Sequence, residues 1–154
     1  MEKIRQMEIK DIIPVVRQEK AIFGESLGYD FFYQDLVLNP YQYYYVLEKD
    51  EEIIGFIGAY INSDTCDVVS FYVTEEMQNH GYGKMLFNFL LDLCEEMNVN
   101  LLTLEVRKSN KKAISIYERF GFNPIYIRRR YYRDGEDAIL YGIQFERGKK
   151  KWLY

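Results

Sequence analysis

The sequence has no long apolar run and few residues of the types that form metal sites or disulfides. No stretch approaches the roughly 18 apolar residues needed to cross a bilayer, and the charged N-terminus, MEKIRQMEIK, lacks the apolar segment of a signal peptide. The single histidine, His80, and the two cysteines, Cys66 and Cys94, do not have metal-ligand spacing. We therefore expect a cytoplasmic protein with reduced cysteines, no metal and no membrane anchor.

Charge and length limit the class of protein further. The formal net charge of −4 argues against a general nucleic-acid binder and would suit a basic partner. The 15 tyrosines and 10 phenylalanines suit sheets and half-wet clefts, but they do not identify a ligand. The 154 residues predict a single domain, 1–154, that ends in a short basic tail at 146–154, ERGKKKWLY.

Apolar periodicity predicts a mixed α/β (α+β) chain. Asp11 is expected to cap a first helix with Pro14 in its first turn, and a shorter helix is expected between Asp30 and Val37. The later elements are three strands at 43–49, 53–61 and 67–73, a long helix at 82–97, a strand at 101–106, a helix at 111–120, and a hairpin of 125–132 with 138–145. A strand–helix–strand unit within a largely antiparallel set is typical of this class.

The segment 78–84, QNHGYGK, joins a strand to the most strongly periodic helix. The first turn of a helix leaves backbone N–H groups without partners, and the helix dipole adds positive charge there. Gly81 and Gly83 would let a pyrophosphate approach these amides, and Lys84 or a protonated His80 could add charge. A plain tight turn with an exposed histidine stays open as the alternative.

Two further side chains suit proton transfer. Glu105 lies in an apolar strand and could act as a general base, while Tyr117 on a short helix could donate a proton or a hydrogen bond. The structural alternatives are an ion pair of Glu105 with Arg107 or another cation, and a core position for Tyr117. Asp67 is either a reserve carboxylate or a turn residue.

An arginine-rich and a tyrosine-rich segment each have two interpretations. Arg128–Arg130 could be a solvated strand face paired with Glu136 or Asp137, or part of a hairpin that lines a peptide groove. In the second case Tyr131 and Tyr132 would pack on the substrate. The tyrosines at positions 41, 43, 44 and 45 are more typical of a sheet surface than of a ligand-binding cluster.

Several blocks of the chain resemble the GNAT superfamily of N-acetyltransferases. The residues QNHGYG at 78–83 fit its acetyl-CoA signature, Gln/Arg-x-x-Gly-x-Gly/Ala, between a strand and a helix. The blocks LEVRKSN at 104–110, AISIYERFGF at 113–122, IRRRYY at 127–132 and EDAI at 136–139 resemble the branch that acetylates the N-terminal alanine of ribosomal proteins. The resemblance spans about 4–141, with the blocks in the expected order.

The resemblance implies a splayed, mostly antiparallel seven-stranded sheet flanked by about four helices, with acetyl-CoA lying in the gap. Glu105 is implied to be the general base and Tyr117 the general acid. The implied cofactor-binding residues are Phe71, Tyr72 and Val73 on a strand end, Gln78, Asn79, His80, Gly81, Tyr82, Gly83 and Lys84 in the loop, and Asn110.

The resemblance also implies the reaction, in which the free N-terminal α-amino group of a protein directly attacks acetyl-CoA. A basic ribosomal protein is the expected partner of a monomer or weak dimer that makes no direct contact with nucleic acid. Acetylation of a small-molecule amine or a lysine, and a non-catalytic acyl-CoA-binding module, are the alternatives. Two features depart from the branch: Asn79 and His80 replace the usual Arg or Lys, and the segment 23–30 lacks Pro-Trp-Ser.

Overall fold

The computed structural model describes residues 1–145, and the predicted basic tail at 146–154 lies outside them. The helices are α1 (Ile12–Phe23), α2 (Tyr29–Leu38), α3 (Tyr82–Glu96) and α4 (Lys111–Arg119). The strands are β1 (Glu2–Gln6), β2 (Gln42–Lys49), β3 (Glu52–Asn62), β4 (Thr65–Val73), β5 (Leu101–Arg107), β6 (Asn123–Arg128) and β7 (Ala138–Gln144). Within residues 1–145 no helix combines the length and apolar character needed to cross a membrane.

The seven strands form one sheet in the order β1-β2-β3-β4-β5-β7-β6. The pairs β1–β2, β2–β3, β5–β7 and β6–β7 are antiparallel. Strands β4 and β5 are parallel, with Thr65–Asp67 opposite Leu101–Thr103. The mixed α/β class, the seven strands and the four helices expected from the sequence are confirmed.

Two compact units can be distinguished within the described residues. The first contains residues 1–61 and 69–93, and the second contains residues 62–68 and 94–145. Strand β4 therefore contributes its beginning to the second unit and its end to the first.

An aromatic cluster forms the core of the first unit. Phe32 on α2 is fully buried, and its ring makes edge contacts with Phe31, Tyr44 and Phe56 at centroid distances of 5.8, 5.7 and 5.7 Å. Edge-to-face pairs of this kind are favourable beyond the area that they bury. The other buried members of the cluster are Met7, Ile12, Val15, Val46 and Tyr72.

A carboxylate on α2 ties this helix to the sheet. Asp35 accepts hydrogen bonds from the hydroxyl groups of Tyr44 and Tyr60, the latter at 2.6 Å, and Asn39 Nδ2 donates to it at 3.2 Å. Burial and the bond to Asp35 raise the pKa of Tyr60 to about 12 and the pKa of Tyr44 well above its usual range. Tyr44 is buried, so the expectation that positions 41–45 present a tyrosine surface is wrong for this residue.

Strand β1 is held by charge and was not predicted from apolar periodicity. Arg5 donates to both oxygens of Asp11, at 2.8 and 3.0 Å, and to Oε2 of Glu48 at 3.2 Å. Asp11 also accepts a bond from the Glu8 N–H at 2.8 Å. Asp11 occupies the N-cap position of α1, but its backbone is already helical, with φ of −87° and ψ of −9°, and its side chain makes no capping bond to that helix.

The second unit is built around β5. Thr103 on β5 donates a hydrogen bond to Asp67 on β4, so the reserve carboxylate of the sequence analysis holds two parallel strands together. Cys66 and Cys94 are free and buried, and their mutual contact together with burial raises the pKa of the Cys66 thiol.

The closing hairpin is shorter on one side than predicted. Strand β6 ends at Arg128, and residues 129–137 form a loop before β7. The strand ends because Arg130 has a left-handed φ of 51°, and its N–H donates to Asp137 Oδ1 at 2.9 Å. Tyr131 and Tyr132 consequently lie in the loop, which is named here the β6–β7 loop.

Candidate active site

The loop 78–84 of the first unit begins with a side-chain bond to the end of β4. Gln78 Nε2 donates to the carbonyl oxygen of Val73 at 3.0 Å. Asn79 and Gly81 both have left-handed backbone angles, with φ of 65° and 86°, so the chain turns sharply twice before α3 begins. Glycine adopts this conformation without the steric penalty of a Cβ, which explains its presence at position 81.

The first turn of α3 begins directly after Gly81 and contains amides that have no partner in the helix. Its first backbone bond runs from the Met85 N–H to the Gly81 carbonyl at 3.0 Å, so the amides of 82–84 have no acceptor within the helix. Apart from Gly81 itself and its two chain neighbours, no atom of the described residues lies within 4 Å of the position that a Cβ on Gly81 would occupy. A Cβ on Gly83 would lie 3.6 Å from the ring of Phe71 and 3.7 Å from Val73. The helix start therefore packs against the end of β4, and its first three amides are left without an acceptor in the helix.

The charged side chains of this loop have separate roles. His80 Nδ1 lies 2.8 Å from the carbonyl oxygen of Gln78. Because a carbonyl can only accept, Nδ1 carries the proton. The hydroxyl of Tyr82 accepts a bond from Lys49 at 3.1 Å, and this bond raises the pKa of Lys49. Lys84 is exposed. Lys49 adds a positive charge that the sequence analysis missed, since only the fold brings positions 49 and 82 together.

The side chains of Phe71 and Tyr72 at the end of β4 pack against other parts of the protein. Tyr72 is buried, its hydroxyl donates to Gln18 Oε1 at 2.7 Å, and burial raises its pKa well above the usual range. The ring of Phe71 makes an edge contact with Phe87 at 5.1 Å. The predicted cofactor contacts at these two positions are consequently restricted to backbone groups.

Glu105 on β5 is a partly exposed carboxylate of the second unit. Its side chain is 28% exposed, and Nε of Arg128 lies 2.5 Å from its Oε2. This contact is an ion pair by its distance. It is not counted as a hydrogen bond, since the Arg128 Nε–H is not aligned with an acceptor within residues 1–145. The Tyr131 hydroxyl donates to Oε1 at 3.3 Å, and burial and the charge of Glu105 raise the pKa of Tyr131. The cation beside Glu105 is Arg128 and not Arg107, which the sequence analysis named first.

Arg107 organises the β6–β7 loop. Its Nη1 donates to Asp134 at 2.9 and 3.1 Å and to Glu136 at 3.0 Å, and its guanidinium carbon lies 4.0 Å from the ring centroid of Tyr132. Hydrogen bonds from Ser109 and Arg107 lower the pKa of Glu136. Of the two partners expected for Arg128–Arg130, Glu136 is engaged by Arg107, and Asp137 accepts a bond from the backbone N–H of Arg130.

Tyr117 on α4 is a phenol that stays protonated. Its ring lies 5.8 Å from that of Phe122. Burial, with a smaller contribution from Tyr132, raises the pKa of Tyr117 to about 12. The group is therefore a hydrogen-bond donor at neutral pH and well above it.

Asn110 caps helix α4. Its Oδ1 accepts a hydrogen bond from the Ala113 N–H at 3.1 Å. A capping bond of this type stabilises the helix start, and it leaves the two Nδ2 hydrogens to serve as donors. Asn110 can combine a structural role with a ligand contact.

Comparisons with known proteins agree on one family. Residues 9–122 match the Acetyltransferase (GNAT) family. A Bacillus subtilis (strain 168) protein, provisionally named a ribosomal protein bS18-alanine N-acetyltransferase, is 37% identical over 138 residues, which are 89% of this chain and 91% of that protein. An N-alpha-acetyltransferase of Sulfurisphaera tokodaii is 30% identical over 152 residues, which are 90% of each chain. The crystal structure of the ribosomal-protein-S18-alanine N-acetyltransferase from Escherichia coli superposes with a TM-score of 0.86 at 29% identity, covering 97% of each chain.

The chain therefore belongs to the GNAT family of acetyltransferases. It is an acyltransferase that acetylates an amine, as its similar relatives do.

Acetyltransferases of this family use acetyl-CoA, and the loop 78–84 fits the charged part of that molecule. Amides without an acceptor in the helix, at the start of a 15-residue helix and next to Gly81, suit a diphosphate. The exposed Lys84 adds positive charge to the same segment. No cluster of metal-ligating side chains occurs within residues 1–145.

Gly81→Ala tests the loop. An alanine in the left-handed conformation costs roughly 1–2 kcal/mol, so the loop will relax, and ligand binding must then restore it. We expect coenzyme A to bind about five- to thirtyfold more weakly by calorimetry, since 1.4 kcal/mol corresponds to about tenfold. Gly121→Ala is the matched control, because Gly121 is also left-handed, with φ of 99°, and also has no neighbour within 4 Å. Equal coenzyme A affinities in Gly81→Ala and wild type would remove the loop from the site.

Proposed function

We propose that this enzyme transfers the acetyl group of acetyl-CoA to the free N-terminal α-amino group of a protein, with a ribosomal protein as the acceptor. The observation that carries the proposal is that the second unit contains both a partly exposed carboxylate at Glu105 and a phenol at Tyr117 that stays protonated. The names of the Bacillus subtilis and Escherichia coli relatives support the choice of acceptor. Because the family match runs through parts of both units, we also propose that 1–154 acts as one cytoplasmic acetyltransferase domain.

The chemistry of amines supports an α-amino acceptor. An α-amino group has a pKa near 8 and a lysine near 10.4, so roughly a tenth of α-amines are neutral at pH 7, against well under 1% of lysines. The difference of about 2.5 units corresponds to roughly 3 kcal/mol. One carboxylate, acting directly or through a water molecule, can therefore suffice for an α-amine.

Glu105 is proposed as the general base. Its Oε1 is held by the Tyr131 hydroxyl and its Oε2 by Arg128, which fixes the carboxylate on β5. A carboxylate has about four acceptor positions, so it can take the amine proton while keeping both contacts.

Tyr117 is proposed to donate a hydrogen bond to the departing thiolate. A thiol has a pKa near 8.5, and that of Tyr117 is about 12. Complete proton transfer from the phenol would therefore be uphill by roughly 5 kcal/mol. Donation of the hydrogen bond is favourable throughout the physiological range, so Tyr117 stabilises the negative charge even where it keeps its proton.

The remaining roles belong to cofactor binding. Acetyl-CoA, when bound, supplies the thioester whose acetyl group is transferred. The amides of 82–84 and Lys84 would hold its diphosphate, with Gln78, Asn79 and His80 shaping the loop. Backbone groups of Phe71–Val73 and the Nδ2 hydrogens of Asn110 would bind the uncharged arm.

A panel of peptides with free N-termini tests the acceptor. We expect acetyl-CoA to acetylate the α-amino group of ribosomal-protein N-terminal peptides, as read by fragmentation mass spectrometry. The same peptides with blocked N-termini are the control and should gain no acetyl group. Acetylation only of lysine side chains or of polyamines would overturn the proposed acceptor.

Glu105→Gln should lower kcat by about tenfold or more while leaving acetyl-CoA binding nearly intact, because general bases contribute about 10²–10⁴ in rate. The measurement is steady-state kinetics with coenzyme A calorimetry on the same samples. Asp67→Asn is the matched control, since its carboxylate serves Thr103 and an amide oxygen can still accept that bond. Turnover equal to wild type from about pH 6 to pH 9 would remove Glu105 from the role.

Tyr117→Phe should slow acetyl transfer by about ten- to a hundredfold with the fold preserved, since only the hydroxyl donor is lost. The neutral phenol is the active form, and a raised pKa extends its range upward. The wild-type rate should therefore rise as the amine deprotonates and then stay level to about pH 10. Tyr126→Phe, which removes a hydroxyl from an exposed residue, is the control. A wild-type rate that falls with a midpoint below about pH 10, or an unaffected Tyr117→Phe variant, would contradict this role.

A further inference from the structure

Helix α1 carries a buried carboxylate that the proposed reaction does not use. Glu19 is 2% exposed, and its two oxygens serve different elements. Oε1 accepts bonds from the Ser26 hydroxyl at 2.7 Å and the Leu27 N–H at 3.1 Å. Oε2 accepts a bond from the Ser70 hydroxyl at 2.7 Å. Glu19 therefore links the α1–α2 loop, residues 24–28, to strand β4.

The α1–α2 loop has a glycine at each end. Gly24 and Gly28 have left-handed φ values of 81° and 98°, and beyond each glycine and its chain neighbours no atom of the described residues lies within 4 Å of a Cβ built there. Such ends allow the loop many backbone conformations. The bonds from Ser26 and Leu27 to Glu19 select one of them, and the Gly28 N–H donates to the Ser26 hydroxyl at 3.0 Å within it.

The loop lies next to the part of β4 assigned to the cofactor. Ser70 directly precedes Phe71–Val73, and the ring of Phe23, at the end of α1, meets the ring of Tyr72 edge-on at 6.3 Å. Exposed apolar side chains surround the loop: Phe23, Leu27, Tyr29 and Tyr33, exposed by 50%, 42%, 43% and 43%. Exposed apolar groups that cluster in this way are typical of a binding surface.

We infer that Glu19 is a positioning residue for the acceptor: it holds the α1–α2 loop against β4, so that the apolar side chains around that loop can contact the acceptor. The inference rests on the proposed function. A fixed loop binds more tightly than a mobile one, because less conformational entropy is lost on binding. Loss of the link should therefore weaken acceptor binding and leave both the acid–base groups and the cofactor loop unchanged.

Glu19→Gln tests the inference with little change in volume. The neutral amide replaces a charged acceptor, so the charge-assisted bonds in both arms of the link, to the α1–α2 loop and to β4, are weakened. We expect KM for the peptide to rise about tenfold, as is typical of a lost bond to a charged group, while kcat and KM for acetyl-CoA change by less than about twofold. Ser70→Ala, which removes only the β4 arm, should raise the peptide KM in the same direction. Arg17→Gln, at an exposed position of the same helix, is the control and should leave all three constants unchanged.

The kinetic constants separate positioning from a merely structural role. If the variants unfold at lower urea concentration but keep the wild-type peptide KM, Glu19 only stabilises the fold and the inference is overturned. A parallel rise in KM for acetyl-CoA would overturn it too. If Glu19→Gln does not fold, Ser26→Ala and Ser70→Ala, which leave the carboxylate in place, decide the question by the same criterion. If the wild-type enzyme acetylates only small amines, the proposed protein acceptor is wrong. The inference on Glu19 is then tested in the same way, with the KM for the small amine in place of the peptide KM.

Discussion

The guanidinium of Arg107 joins two carboxylates and an aromatic ring at the end of β5, and the arrangement around Glu105 depends on this junction. A single exposed ion pair contributes little to stability, but a planar group that engages Asp134, Glu136 and Tyr132 together restricts a whole loop. With the β6–β7 loop fixed in this way, Tyr131 reaches Glu105. Arg107 thus supports the proposed base indirectly: it fixes the loop that carries Tyr131, and Tyr131 contacts Glu105.

Buried aromatic side chains order the core of the first unit, in addition to the ion pairs that hold β1. The aromatic cluster around Phe32 packs α2 against the sheet, and Asp35 fixes the same helix through two tyrosine hydroxyls. The Thr74 N–H, just past β4, bonds to the Ile54 carbonyl at 2.9 Å, so the end of β4 is held where α3 begins. A rigid strand end of this kind lets backbone groups serve a ligand, because their positions do not depend on flexible side chains.

Local sequence patterns predicted most elements, and the misses have identifiable causes. Strand β1, EKIRQ, contains a single apolar residue, Ile4, so it carries no apolar pattern; Arg5 pairs with Asp11, six residues further on, and with Glu48 on the neighbouring strand. The stretch 129–132 has strand-like composition, but Arg130 takes a left-handed angle that only its bond to Asp137 explains. For these segments, tertiary contacts outweigh intrinsic preference.

Motif spacing located the candidate site residues but not their partners. The loop 78–84 and the positions of Glu105 and Tyr117 follow from the sequence blocks, whereas Arg128 beside Glu105 and Lys49 beside Tyr82 depend on strand pairing. Glu19 did leave a signal: it follows Val15 by four residues and so falls on the buried face of α1. A charged residue that is buried with an apolar stripe needs hydrogen-bond partners, so the position of Glu19 alone predicts a buried polar contact.

The buried thiols of Cys66 and Cys94 have a practical consequence. Alkylating reagents attack the thiolate, which Cys66 with its raised pKa forms very little of, and burial shields both thiols from the reagent. Both cysteines belong to the second unit, so their modification requires that unit to open. The rate of alkylation in native buffer would therefore report local opening around β5 without the introduction of any label.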